Sequence, residues 1–180
     1  MSDCCSINPP AALPSVKARI EKLAICPLCG EKGKRVKSIT LQSLLKPEAL
    51  ARFDGSVHRF CSNPACDAVY FSGQEAAPFL KSDLTVRVGI KEDTAPRHVC
   101  YCFNHTIEEI EEQWRSSGKI TVLEDIKTRM KIACWCETKS PQGSCCLATV
   151  TKCMQAVIAN QSRATNNLLQ ALSAQPSSDP

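Results

Sequence analysis

Thirteen cysteines in 180 residues constrain this chain more than any other feature, and most of them are paired. Cys26 and Cys29 form C-x2-C, and Cys61 and Cys66 form C-x4-C. Cys100 with Cys102, and Cys134 with Cys136, form two C-x-C pairs, while Cys145 and Cys146 are adjacent. In an oxidising compartment such a density reads as a disulfide framework. The opening stretch MSDCCSINPPAALPSV, however, lacks the charged start and apolar run of a signal peptide. No apolar run approaches the roughly eighteen residues of a membrane-crossing helix. The expected setting is therefore the cytoplasm, where thiols stay reduced and clustered cysteines serve as metal ligands. The odd count also argues against a closed set of disulfides.

Composition adds a reason for metal. Hydrophobic residues reach 43%, but aromatics only 5%, so any core lacks its bulky fillers. Two small domains of this length would each be marginal on burial alone. The net charge of +4 is mild, with the densest basic patch at Glu31–Arg35, and reads as a solvated surface rather than a nucleic-acid footprint.

A tail is expected at 1–15, a zinc-binding domain at 16–95, a helical domain at 96–173 and a second tail at 174–180. The polar stretch from Lys91 to Arg97, with Pro96, marks the boundary. In the first region, alternation predicts strands over 34–40, 57–60, 68–71 and 84–90, and helical spacing over 42–53 is interrupted by Pro47. In the second, Thr106 with Glu109 is a capping-box signature for a helix that stops at Gly118. Thr121 with Glu124 repeats the signature for a second helix, and a third is expected over about 147–172.

The pairs Cys26/Cys29 and Cys61/Cys66 suit a closed tetrahedral zinc site, with Gly30 easing the first turn and Pro64 bending the second loop. A metal would also supply folding energy to a region poor in aromatics. Such a closed site leaves no position for substrate, so no catalysis is assigned to it. In the second region six cysteines fall within 100–146, between short helices. A [2Fe-2S] cluster takes four thiolates. Cys100 and Cys102 supply two of them, and the 134–146 loop, with Cys134, Cys136, Cys145 and Cys146, supplies the rest.

Val99-Cys-Tyr-Cys-Phe103 followed by a capped helix resembles the bacterioferritin-associated ferredoxin domain. Cys136-Glu-Thr-Lys-Ser-Pro-Gln-Gly-Ser-Cys-Cys146 resembles the ending found in the N-terminal part of the CopZ copper chaperone family, where a zinc site precedes a [2Fe-2S] domain. The order of the two cysteine sets agrees, and the resemblance covers roughly residues 24–155. It implies Cys26, Cys29, Cys61 and Cys66 as zinc ligands and Cys100, Cys102, Cys136 and Cys146 as cluster ligands. Pro141 and Gly143 would let the loop fold back so that Cys136 and Cys146 face one iron. The family's C-terminal copper-binding domain carries an M-x-C-x-x-C loop, and this sequence has no such motif.

The expected fold is α+β, a zinc-ribbon-like β-rich N-terminal region followed by a small helical [2Fe-2S] domain. The expected function is non-enzymatic: electron transfer or redox support of metal trafficking, copper in the family resembled, with a metal-handling or redox protein as partner. The alternative is a non-catalytic zinc and iron-sulfur module that docks a protein or nucleic acid. Cys4 and Cys5 read as an incidental exposed pair and Cys153 as a small core residue. His105 reads as a surface residue at a helix start, and Trp135 either shields the cluster or merely packs. Glu108, Glu109, Glu111 and Glu112 read as a solvated helix face.

Overall fold

The computed structural model describes residues 24–73 and 76–173, the last ten of these by backbone alone. Cys4, Cys5 and both expected tails lie outside the described residues. The fold mixes sheet and helix.

A four-stranded antiparallel sheet forms the first lobe in the order β1 (Lys34–Arg35), β2 (Arg59–Phe60), β3 (Ala68–Phe71), β4 (Phe79–Leu80). All four residues of β3 are buried, which is why Ala68-Val-Tyr-Phe71 shows no polar face in sequence. Two short helices, α1 (Ser38–Leu44) and α2 (Pro47–Leu50), cover one side of the sheet. Leu41, Leu45, Phe60, Val69, Tyr70 and Leu84 centre the core.

Two strand expectations fail here. The strand predicted over 34–40 stops at Arg35, and Ser38–Leu44 is helical, because Thr40, Leu41 and Leu44 bury one helical face. The alternating run 84–90 forms no ladder. Leu84 makes a lone bridge to Leu45, and Thr85 gives both its amide and its hydroxyl to the Leu44 carbonyl. The run then tightens into a 3-10 turn at Gly89–Lys91. Its alternation records side chains turned inward, Leu84 and Val88, not strand pairing.

The second lobe is a two-stranded ribbon, β5 (His98–Cys100) and β6 (His105–Thr106), packed with four helices: α3 (Ile107–Ser117), α4 (Val122–Met130), α5 (Cys136–Lys139) and α6 (Leu147–Ser173). The Thr106 hydroxyl caps α3 by accepting the Glu109 amide, and Gly118 ends it in the left-handed region at φ 65°. At α4 the expected cap is absent. Thr121 donates both its amide and its hydroxyl to the Gln113 side-chain carbonyl instead. Val150, Cys153 and Val157, at spacings of three and four, turn one face of α6 onto Val99, Ile110 and Ile126. Among the described residues no helix is long and apolar enough to cross a membrane.

The lobes are tied together. α5 packs on α1, with Lys37 paired to Glu137 at 2.5 Å. The buried Tyr70 hydroxyl donates to the Pro141 carbonyl at 2.7 Å. The Tyr101 hydroxyl donates to the Arg87 carbonyl and accepts the Gly89 amide, each at 2.8 Å. Gly89 lies so close to β5 that a Cβ there would stand 2.0 Å from the His98 carbonyl oxygen. The polar stretch 91–97 is not slack either, since Arg87 is held by the Glu92 carboxylate and by the Thr94 and Ala95 carbonyls.

Candidate metal centres

Cys26 and Cys29 flank a tight turn. The Cys26 amide donates to the Glu31 carbonyl and the Gly30 amide to the Cys26 carbonyl, with Gly30 at φ 74°, a conformation that favours glycine. Cys61 leaves β2 with its amide bonded to the Val69 carbonyl, and Cys66 closes the second loop through Asn63. The two loops face each other across Ala68 and Phe71. Gly33 makes room for this ring, because a Cβ there would lie 2.4 Å from Phe71.

The four sulfurs all lie within 4.8 Å of one another, with Cys26 and Cys66 at 3.9 Å and Cys29 and Cys61 at 3.6 Å. A zinc ion about 2.3 Å from each of four tetrahedral sulfurs sets them about 3.8 Å apart. The donor set therefore fits zinc without rearrangement. Among the described residues this is the one place where three or more Cys, His, Asp or Glu side chains converge so closely. Burial raises the Cys61 and Cys66 thiols. Burial also opposes ionisation of the half-buried Cys29, but bonds from the Glu31 amide and its neighbouring thiols outweigh it and lower that thiol.

The second set has a different shape. Cys100, at the end of β5, is fully buried and shares one core cluster with Cys146, which immediately precedes α6. Cys102 lies 3.7 Å from Cys136, the first residue of α5. Cys102 and Cys136 thus stand side by side, while Cys100 and Cys146 lie together in the buried core of the lobe. α5 carries Cys136 across to the hairpin, beside Cys102. Cys134 and Cys145 are exposed. The hydrogen bond from Cys146 outweighs burial and brings the Cys100 thiol down to about 6. Burial, then the Cys102 sulfur, pushes Cys136 up to about 12. Trp135 is half exposed, and its backbone amide donates to the Cys102 sulfur at 3.3 Å.

Sequence similarity bears on the first of these sites. The CopZ-type family model described as "Zinc binding domain" matches residues 23–85. The copper chaperone CopZ of Archaeoglobus fulgidus is 35% identical over 121 residues, 67% of this chain and 57% of that protein. The X-ray structure of the Archaeoglobus fulgidus CopZ N-terminal domain superposes with a TM-score of 0.62 at 33% identity, covering 71% of this chain and 95% of that one. The chain belongs to the CopZ zinc-binding N-terminal domain family. It is a CopZ-like zinc-binding protein with a Cys4 site. The aligned 121 residues outrun the 23–85 match, so the likeness continues past the zinc-binding domain. The chain spans a little over half the length of the copper chaperone it matches.

Other residues depart from the sequence expectation. His105 is buried rather than superficial, with its ring nitrogens 2.8 Å from Glu109 and 2.9 Å from Asp125. The glutamates of α3 are not one solvated face. Glu108 and Glu111 both hold Arg97, and Glu109 holds His105. Glu112, paired with Arg115, is the one that faces solvent. Cys153 is half-buried among apolar neighbours, as expected of a small core residue.

Lys91 was missed altogether. It reads in sequence as the start of a polar linker, yet it is buried against the Cys61–Cys66 loop. The signal was faint: a lone lysine closing a run of alternating apolar residues.

Proposed function

We propose that this chain is a non-enzymatic, two-centre metal protein of the cytoplasm that supports metal trafficking by single-electron transfer. In this reading Cys26, Cys29, Cys61 and Cys66 hold a structural zinc in a domain spanning 16–95. Cys100, Cys102, Cys136 and Cys146, in a domain spanning 96–173, hold a [2Fe-2S] cluster.

The observation that supports the cluster reading is the gathering of four thiols in the second lobe: Cys102 lies 3.7 Å from Cys136, and buried Cys100 and Cys146 share one core cluster. A two-iron cluster asks for two thiolates on each iron. Cys102 with Cys136 suits one iron, and Cys100 with Cys146 suits the other. Buried Val99, Ile110 and Val150 wall the inner side with apolar side chains. The cluster would supply a reversible one-electron carrier, and the protein's part is to hold its four sulfur ligands and keep water from its inner face. The partner is a metal-handling or redox protein. The related chaperone's name supports copper as the metal served.

Anaerobic purification with metal analysis tests this directly. About one zinc, two iron and two sulfide per chain are expected, with the visible absorption of a [2Fe-2S] protein. Protein that binds zinc but stays colourless after reconstitution with iron and sulfide refutes the cluster.

A further inference from the structure

Lys91 is 3% exposed, and no carboxylate among the described residues lies within ion-pairing distance of it. Its ammonium donates to two backbone carbonyls, Asn63 at 2.6 Å and Cys66 at 3.0 Å, and it stands 6.0 Å from the Phe60 ring centroid. A cation buried without a counter-charge is costly. The acceptors it does have are the start and end of the loop that presents Cys66. Four thiolates around one zinc ion leave a net charge of minus two, and a bound ion's own charge dominates its surroundings.

We infer that Lys91 is a positioning residue of the zinc centre: its buried ammonium neutralises part of the tetrathiolate charge and pins the 63–66 loop in the ligating conformation. The inference rests on the Cys4 zinc site described above. It gives the burial of Lys91 a cause, since the charge finds its partner in the metal centre. It also explains why the stretch after Val88 turns tightly. The 3-10 turn Gly89–Lys91 points the lysine into the zinc lobe while Gly89 abuts the backbone of β5. A residue of this kind, acting through a ligand and not on the metal, typically changes metal affinity by about 10–100-fold when removed.

The test compares Lys91→Met, Lys91→Gln and Lys91→Arg with the parent, using full-length chain. Lys91→Gln keeps a side-chain donor but no charge, and Lys91→Arg keeps the charge. Zinc affinity is read by competition with a chromophoric chelator. The sulfur-to-metal charge-transfer band is read after cobalt(II) substitution, with far-UV circular dichroism at saturating metal as the check on folding. Both neutral variants are expected to release zinc about 10–100-fold more readily. Their cobalt band should move to longer wavelength, because thiolates stripped of a nearby positive charge give up an electron more easily. Lys91→Arg should keep the parent's band. Parent-like zinc competition in Lys91→Gln, or a cobalt band that does not move in either neutral variant, overturns the inference. If Lys91→Met fails to fold, Lys91→Gln carries the test alone. A parent without any tetrathiolate cobalt band refutes the Cys4 site itself and the inference with it.

Discussion

Replacing Tyr70 with Phe removes one oxygen and little else, so its effect can be worked from the structure. Tyr70 is fully buried on β3, and its hydroxyl donates to the Pro141 carbonyl at 2.7 Å. Pro141 is itself buried, so the carbonyl loses its donor with no direct route to solvent. Leaving a buried acceptor unpaired costs about 1–3 kcal/mol. For a chain of this size each kcal/mol lowers the melting temperature by about 2–4 °C, so the variant should melt about 2–12 °C below the parent. Burial raises the Tyr70 hydroxyl, so it stays protonated and the gap should not change between pH 7 and 9. Pro141 lies between Cys136 and Cys146. A loosened loop should therefore also speed alkylation of the buried Cys146 thiol by iodoacetamide. Calorimetry on zinc-loaded protein reads the first effect and mass spectrometry the second. A melting point within about 1 °C of the parent, with unchanged alkylation, would refute the claim that this bond joins the two lobes.

Two further outcomes are expected. Among single serine variants reconstituted with iron and sulfide, Cys136→Ser and Cys146→Ser should bind poorly or shift the cluster spectrum, whereas Cys134→Ser and Cys145→Ser should resemble the parent; the reverse result at Cys134 and Cys136 overturns the assignment. Burial acts to raise the Glu108 carboxyl, but hydrogen bonds from the Arg97 side chain and backbone prevail and hold it at about 2. Its contribution is therefore complete above the unfolded carboxyl range near pH 4.5 and is lost as pH falls toward 2. The stability gap between the parent and Glu108→Gln, followed by chemical denaturation, should be constant from pH 7 to 5 and narrow below that.

The readable parts of this sequence were those governed by local chemistry. Thr106, Glu109 and Gly118 bracket α3 because a cap hydroxyl and a left-handed glycine act within one turn of the helix they end. Both Cys26/Cys29 and Cys61/Cys66 could be grouped, because a tetrahedral ion demands short spacing within each pair. What failed was set by distant contacts. Thr121 lost its capping role to Gln113, eight residues away in sequence. The 84–90 alternation looked like a strand, but its amides and carbonyls are taken up by Leu44 and Tyr101. The four glutamates on α3 could not reveal that Arg97 and His105 sit beneath three of them. The cross-pairing of Cys102 with Cys136 was equally invisible, because it depends on how α5 packs against α1.

The two cysteine sets differ in exposure as well as shape, and the difference bears on their roles. In the first, Cys26, Cys61 and Cys66 are buried and the fourth thiol is half-buried, so four sulfurs close around one point with no side left for exchange. That suits an ion whose work is structural, tying the 26–29 and 61–66 loops together beside Phe71. In the second, Cys100 and Cys146 sit deep, while Cys102 is half-buried beside exposed Trp135. Under the electron-transfer reading proposed above, that asymmetry has a use: a dry inner wall would hold the cluster and one edge near the surface would let a partner approach. The Trp135 amide bonded to the Cys102 sulfur stands at this edge. Hydrogen bonds to ligating sulfurs are among the levers that set a cluster's potential. In that reading the Trp135 amide would be one such lever on the proposed cluster.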